Sequence, residues 1–158
     1  MNINKKGFTL VELLIVIAII VILAAVVFIA LDPLTRFQEA RDSTRWSDTT
    51  AVLDALKVDQ VDNEGAYLAS VAALTAGNYH IIGTCAAGGD AGCGAQVTQA
   101  ACVDLTGLVT EGYLGEIPVD PSTGSVATTD YYLMVSATGS LTVGSCDPEG
   151  GDAISVVR

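Results

Sequence analysis

Basic residues are scarce in this chain, and histidine nearly absent. Its 158 residues include 7 Lys+Arg against 18 Asp+Glu and a single histidine, His80. Beyond Arg45 only Lys57 and Arg158 are basic, against 14 acids, so that portion carries a charge near −12. A surface of that sign repels phosphate backbones and disfavours direct nucleic-acid binding. There is no Cys-x-x-Cys pair and no Gly-Lys-Ser/Thr loop, which leaves little for redox, metal or nucleotide chemistry. His80 sits in the apolar run Tyr79-His80-Ile81-Ile82 with no cysteine or histidine beside it. It reads as a core or edge strand residue, and no enzyme is expected. Glycine is missing between Phe8 and Glu64, whereas fifteen glycines follow from Gly65 onward. A rod followed by one turn-rich lobe is the implied organisation, within the size of a single ordinary domain.

Charge is also missing from Leu13 to Leu31, where 19 residues pass without a polar side chain. From Phe8 to Leu31 the 24 residues contain one charge, Glu12. As a helix that stretch is ~36 Å long, enough to cross a bilayer core of ~30 Å. Lys5 and Lys6 precede it and hold its start on the cytoplasmic side, so the remainder faces outward. The run exceeds the ~7–15 apolar residues of a secretory signal, and Ala24 and Ala25 lie inside it rather than beyond it. A plain anchor fits the length but not Glu12, because a carboxylate at that depth costs about 2.5–3.5 kcal/mol. The next basic residue is Arg36, so no cationic side chain of the same span reaches Glu12. A free amine at Phe8, made by cutting after Gly7, would pair with its own Glu12 or with that of an adjacent copy.

Lys5-Lys6-Gly7-Phe8-Thr9-Leu10-Val11-Glu12-Leu13-Leu14 resembles the class III signal of type IV prepilins, shared by pilins and pseudopilins. The resemblance implies cleavage between Gly7 and Phe8 by prepilin peptidase and N-methylation of Phe8. It also implies a role for Glu12 in meeting the neighbouring subunit's N-terminus during assembly. A cytoplasmic ATPase acting through a membrane platform is implied as the machine that extracts subunits.

Asp32-Pro33 interrupts the apolar helix, since proline lacks an N–H and crowds the carbonyl four residues back. Helical pattern resumes at Leu34. Asp32/Arg36, Asp42/Arg45 and Arg45/Asp48 are opposite charges at helical spacing, whereas Arg41 and Arg45 form a like-charge pair that needs acids from elsewhere. Trp46, Thr49, Leu53 and Leu56, with Val52 and Ala55, form a one-sided stripe that reads as a core face beneath a sheet. The alternative for Trp46 is an aromatic ligand platform. Asp62-Asn63-Glu64-Gly65 ends the helix. Further strands are expected at Tyr79–Ile82, Tyr131–Ser136, Leu141–Val143 and Ala153–Val157, with a hairpin across Ala137–Ser140 and a short helix over Val103–Val109.

Cys85, Cys93, Cys102 and Cys146 lack the short gaps of zinc sites, and an even count on the exported side reads as two disulfides. Three connectivities exist, of which Cys85–Cys93 with Cys102–Cys146 is preferred because the first pair brackets a Gly-rich loop. No cofactor is expected. The oxygen-rich turns at Asp120-Pro-Ser-Thr-Gly124 and Asp147-Pro-Glu-Gly-Gly-Asp152 make Asp120 and Asp147 the Ca²⁺ candidates, although neither has EF-hand spacing and both are turn sequences.

The expected fold is α+β: a long N-terminal helix, half membrane-spanning and half amphipathic, packed on a small antiparallel sheet as a pilin-like lollipop. Its parts are a leader (1–7), an apolar assembly helix (8–32), an amphipathic helix (33–64) and a disulfide-stapled head (65–158). The expected function is a type IV pilus subunit, a homopolymer held in the cytoplasmic membrane before export into an extracellular filament. The alternatives are a pseudopilin of a secretion or competence system, or a membrane-tethered binding protein that does not polymerise.

Overall fold

The computed structural model describes residues 7–84, 86 and 93–158. The chain divides after Phe37 into two compact units.

In the first unit, α1 (Leu10–Leu31) runs the length of the apolar stretch and buries none of its side chains. It stops at Asp32, whose backbone is left-handed (φ 36°, ψ 71°). Asp tolerates that conformation better than a branched residue. Pro33 then opens α2 (Pro33–Asp62), a position where its missing N–H has no helical acceptor to lose. The Asp32 carboxylate accepts a hydrogen bond from the Thr35 hydroxyl at 2.7 Å, which ties the end of one helix to the first turn of the next.

The second unit begins at Gln38. Helix α2 turns Thr49, Val52, Leu53, Ala55 and Leu56 inward, as its periodicity predicts. Trp46 departs from the expectation: it is 45 % exposed, and Arg45 is buried in its place. Gly65 closes the helix with φ 95°, and its N–H donates to Gln60 O at 2.7 Å.

Two short helices, α3 (Ala69–Ala72) and α4 (Thr106–Thr110), flank strands β1 (Tyr79–Ile82), β2 (Thr98–Val103), β3 (Tyr131–Val135), β4 (Leu141–Ser145) and β5 (Ser155–Val157). The sheet order is β2-β1-β3-β4-β5. Pairs β1/β3, β3/β4 and β4/β5 are antiparallel, but β1 and β2 are parallel, with Tyr79 opposite Thr98. The sheet is therefore mixed, not antiparallel as expected. Strand β2 is not among the expected strands, since Thr98-Gln-Ala-Ala-Cys-Val103 lacks apolar alternation: its middle residues are exposed at the sheet edge, where burial does not select them. Val103, expected in a helix, ends this strand, and the helix starts three residues later.

Tyr131 and Leu133 of β3 and Leu141 and Val143 of β4 face the core built on Val52, Leu53 and Leu56, with Ile82, Leu105 and Leu108. Tyr132 points to the other face and joins Ile81, Cys93 and Cys146. Its ring lies over Gly144, the residue opposite it on β4. A Cβ at Gly144 would collide with that ring. The bridge on this face is Cys93–Cys146, which overturns the preferred pairing. Sequence proximity favoured a local loop, whereas the sheet brings Cys146, just past β4, beside Cys93, with Cα atoms 4.6 Å apart. Cys102 is also disulfide-bonded; Cys85 lies outside the described residues.

Candidate processing and assembly site

Gly7, Phe8 and Thr9 lie ahead of α1 in non-helical backbone, and Phe8 is exposed. Thr9 is the N-cap of α1 and forms a reciprocal capping box with Glu12. The Glu12 N–H donates to Thr9 Oγ1 at 3.2 Å, while Glu12 Oε2 accepts from the Thr9 N–H at 2.9 Å and from its hydroxyl at 2.8 Å. This is a partner for Glu12 that a search for basic side chains overlooks. The signal was present in the sequence as Thr-x-x-Glu before an apolar run, which satisfies two orphan amides of the first turn. Cutting after Gly7 leaves the Thr9 N–H in place, so the box is compatible with a processed chain. Beyond Glu12, α1 offers only apolar side chains, and it lies in the helix that is long and apolar enough to cross a membrane among the described residues.

Residues 2–28 match the family model of the prokaryotic N-terminal methylation motif. The chain carries a class III prepilin signal. No curated protein and no solved structure matches it. The matched stretch spans Lys5, Lys6, Gly7, Phe8, Glu12 and most of the apolar run.

Behind the prepilin signal, the second unit is organised around Arg45. This side chain is fully buried, and its guanidinium meets three carboxylates. Nε and Nη2 donate to Asp120 Oδ2 and Oδ1 at 2.6 and 2.9 Å. Nη1 donates to Asp42 Oδ1 at 2.7 Å and Glu149 Oε2 at 2.9 Å. Arg41 grips Glu149 with a second fork, at 2.5 and 2.7 Å. The like-charge pair on α2 thus finds the outside acids that its spacing demands. Asp42 accepts the Glu149 and Gly150 amides at 3.1 and 2.6 Å, and Asp120 accepts the Ser122 and Thr123 amides at 2.8 and 3.2 Å. Two loops, 120–124 and 147–150, are thereby fastened to one helix. Gly124 is required for the first of them, because a Cβ there would strike the Asp120 backbone nitrogen.

Charge state follows from these contacts. Burial opposes ionisation of Asp120, but the Arg45 fork and the two turn amides outweigh it and hold its carboxyl below the usual range. Asp42 behaves likewise: burial opposes ionisation, and the Glu149 amide and Arg45 prevail. Glu149 is lowered to about 2, chiefly by Arg41. Asp48 is instead raised by burial; its Oδ2 accepts from the Tyr131 hydroxyl at 2.7 Å, not from Arg45 as its spacing suggested. Burial also raises Asp147, with Asp130 and Asp120 adding repulsion.

Asp120, one of the two calcium candidates, has both oxygens engaged by Arg45 and by its own turn. Among the described residues no group of three or more potential ligands comes together around Asp147 or elsewhere. His80 is buried in β1, and its Nδ1–H donates to the Ala101 carbonyl at 2.8 Å.

Proposed function

We propose that the protein is a structural subunit of a type IV pilus, made as a membrane-held precursor and exported into an extracellular filament. The observation that carries the reading is the methylation motif at residues 2–28, which runs into a helix, Leu10–Leu31, that leaves every apolar side chain unburied. Prepilin peptidase removes residues 1–7, and the new Phe8 amine is methylated. The apolar helices then leave lipid for a bundle of like helices. Lipid is as apolar as leucine, so this transfer yields little hydrophobic free energy, and specificity must come from packing and from the pairing of Phe8 with Glu12 of a neighbour. A cytoplasmic ATPase and its membrane platform supply the work of extraction. The acidic second unit travels outside, stapled by its disulfides in an oxidising space.

The test is mass spectrometry of the N-terminal peptide from filaments sheared off cells and from membranes. A peptide beginning at methylated Phe8 in the sheared fraction is expected. An intact N-terminus found only in membranes would overturn the reading in favour of a tethered, non-polymerising head.

A further inference from the structure

The two basic residues beyond Arg45 occupy one place. Lys57 and Arg158 lie a hundred positions apart in the chain, yet both line a single open groove on the second unit, together with Asp54, Val58 and Val61. Val58 and Val61 are 50 % and 77 % exposed. Arg41 and Arg45, the other cations of this unit, are committed to its own carboxylates. The chain beyond Arg45 is otherwise acidic, with 14 Asp and Glu against these two cations.

We propose that this groove is the docking site for the acidic surface of a second copy of the chain. The inference rests on the polymerising reading above and names a contact that it lacks. Units of like charge repel across a Debye length of ~8 Å at physiological salt, so a side-by-side contact of identical heads is favoured where cations of one copy face carboxylates of the next. Arg158 already pairs with Asp54 and stays half exposed; a guanidinium has five donors, which leaves some for a second carboxylate. Lys57 Nζ donates to Gln60 Oε1 at 3.1 Å and stands 5.5 Å from the Tyr67 ring centroid. Those contacts orient its amine, and among the described residues no carboxylate forms an ion pair with it. The two valines and the aliphatic stems of Lys57 and Arg158 supply apolar area that a docked surface covers. In the filament proposed above the contact is heterologous, the groove of one copy against carboxylates of the next, and so repeats along the filament.

Lys57 is the only lysine beyond the leader, which makes the contact directly readable. Sheared wild-type filaments, assembled from mixed ¹⁴N- and ¹⁵N-labelled copies, would be treated with a zero-length carbodiimide and analysed by mass spectrometry. The expected product joins the Lys57 peptide of one isotope to an Asp- or Glu-bearing peptide of the other. Filaments that yield only intracopy Lys57 links, or none, overturn the docking site while leaving the filament reading intact. Absence of filaments starting at Phe8 overturns both. In parallel, the Lys57→Glu/Arg158→Glu variant is expected to keep Phe8 processing and the Cys93–Cys146 bridge in membranes while its sheared fraction falls at least tenfold. A sheared yield within twofold of wild type would overturn the proposal.

Discussion

Arg45 and Asp120 form a buried two-pronged ion pair, Nε to Oδ2 at 2.6 Å and Nη2 to Oδ1 at 2.9 Å, between residues 75 positions apart. Both side chains are wholly inaccessible. A buried charge is tolerated only when paired and hydrogen-bonded, and removing one partner leaves the other stranded. Asp120→Ala is therefore expected to destabilise the protein by about 3–5 kcal/mol. Arg45→Met/Asp120→Leu, which removes both charges, should lose clearly less. Urea unfolding of the detergent-solubilised chain checks this; equal losses would show that shape rather than charge pairing matters there.

Stability should pass through a maximum in mildly acidic solution. Asp48 and Asp147 are raised by burial, so the native state takes up protons before the unfolded chain does. Lowering the pH from neutral toward the ordinary carboxylate range thus stabilises the fold. Asp42, Asp120 and Glu149 are lowered. Their contribution is full above the unfolded value near ~4 and is lost as pH falls through their folded values, that of Glu149 being about 2. Thermal melting across pH 2–8 reads both limbs. A melting temperature that falls steadily from pH 7 downward would contradict the first.

Replacing Cys93 and Cys146 by Ser should cost about 4 kcal/mol by the chain-entropy model for a separation of 53 residues. The shift in urea midpoint measures it. The Cys102 bridge stays oxidised in that variant, so the loss belongs to one disulfide.

Glu12→Val removes the carboxylate from both the capping box and the proposed meeting with a neighbour's Phe8 amine. The precursor should still be cut, since Gly7 and Phe8 are untouched, but the sheared fraction should vanish. Glu12→Gln retains a side-chain acceptor for the Thr9 amide and lacks the charge. If Glu12→Gln assembles normally while Glu12→Val does not, the cap rather than the ion pair is what assembly needs.

A calcium chelator should leave the melting temperature unchanged, because the Asp120 oxygens already face Arg45 and the turn amides. A downward shift of several degrees would reveal a site elsewhere in the chain.

What the sequence determined by itself is the part governed by neighbours along the chain. An uninterrupted apolar run makes α1, Pro33 ends it, and Gly65 stops α2, each through backbone geometry within a turn. The methylation motif and the Thr9–Glu12 box lie within a few residues of one another and are legible for the same reason. So is the β3–β4 hairpin, whose two strands are joined by one tight turn. What only the tertiary structure decided is the choice among distant partners. Strand β2 pairs in parallel with β1 although its own residues carry no strand signal, because the sheet edge supplies the hydrogen bonds. Cys93 joins Cys146 across a fold rather than a loop. Arg45 goes inside and Trp46 stays out, against hydrophobicity, because Asp120 and Glu149 arrive from loops that periodicity cannot place. Burying a guanidinium is costly in any single helix and is tolerated here because three carboxylates converge on it, two of them from loops distant in the chain.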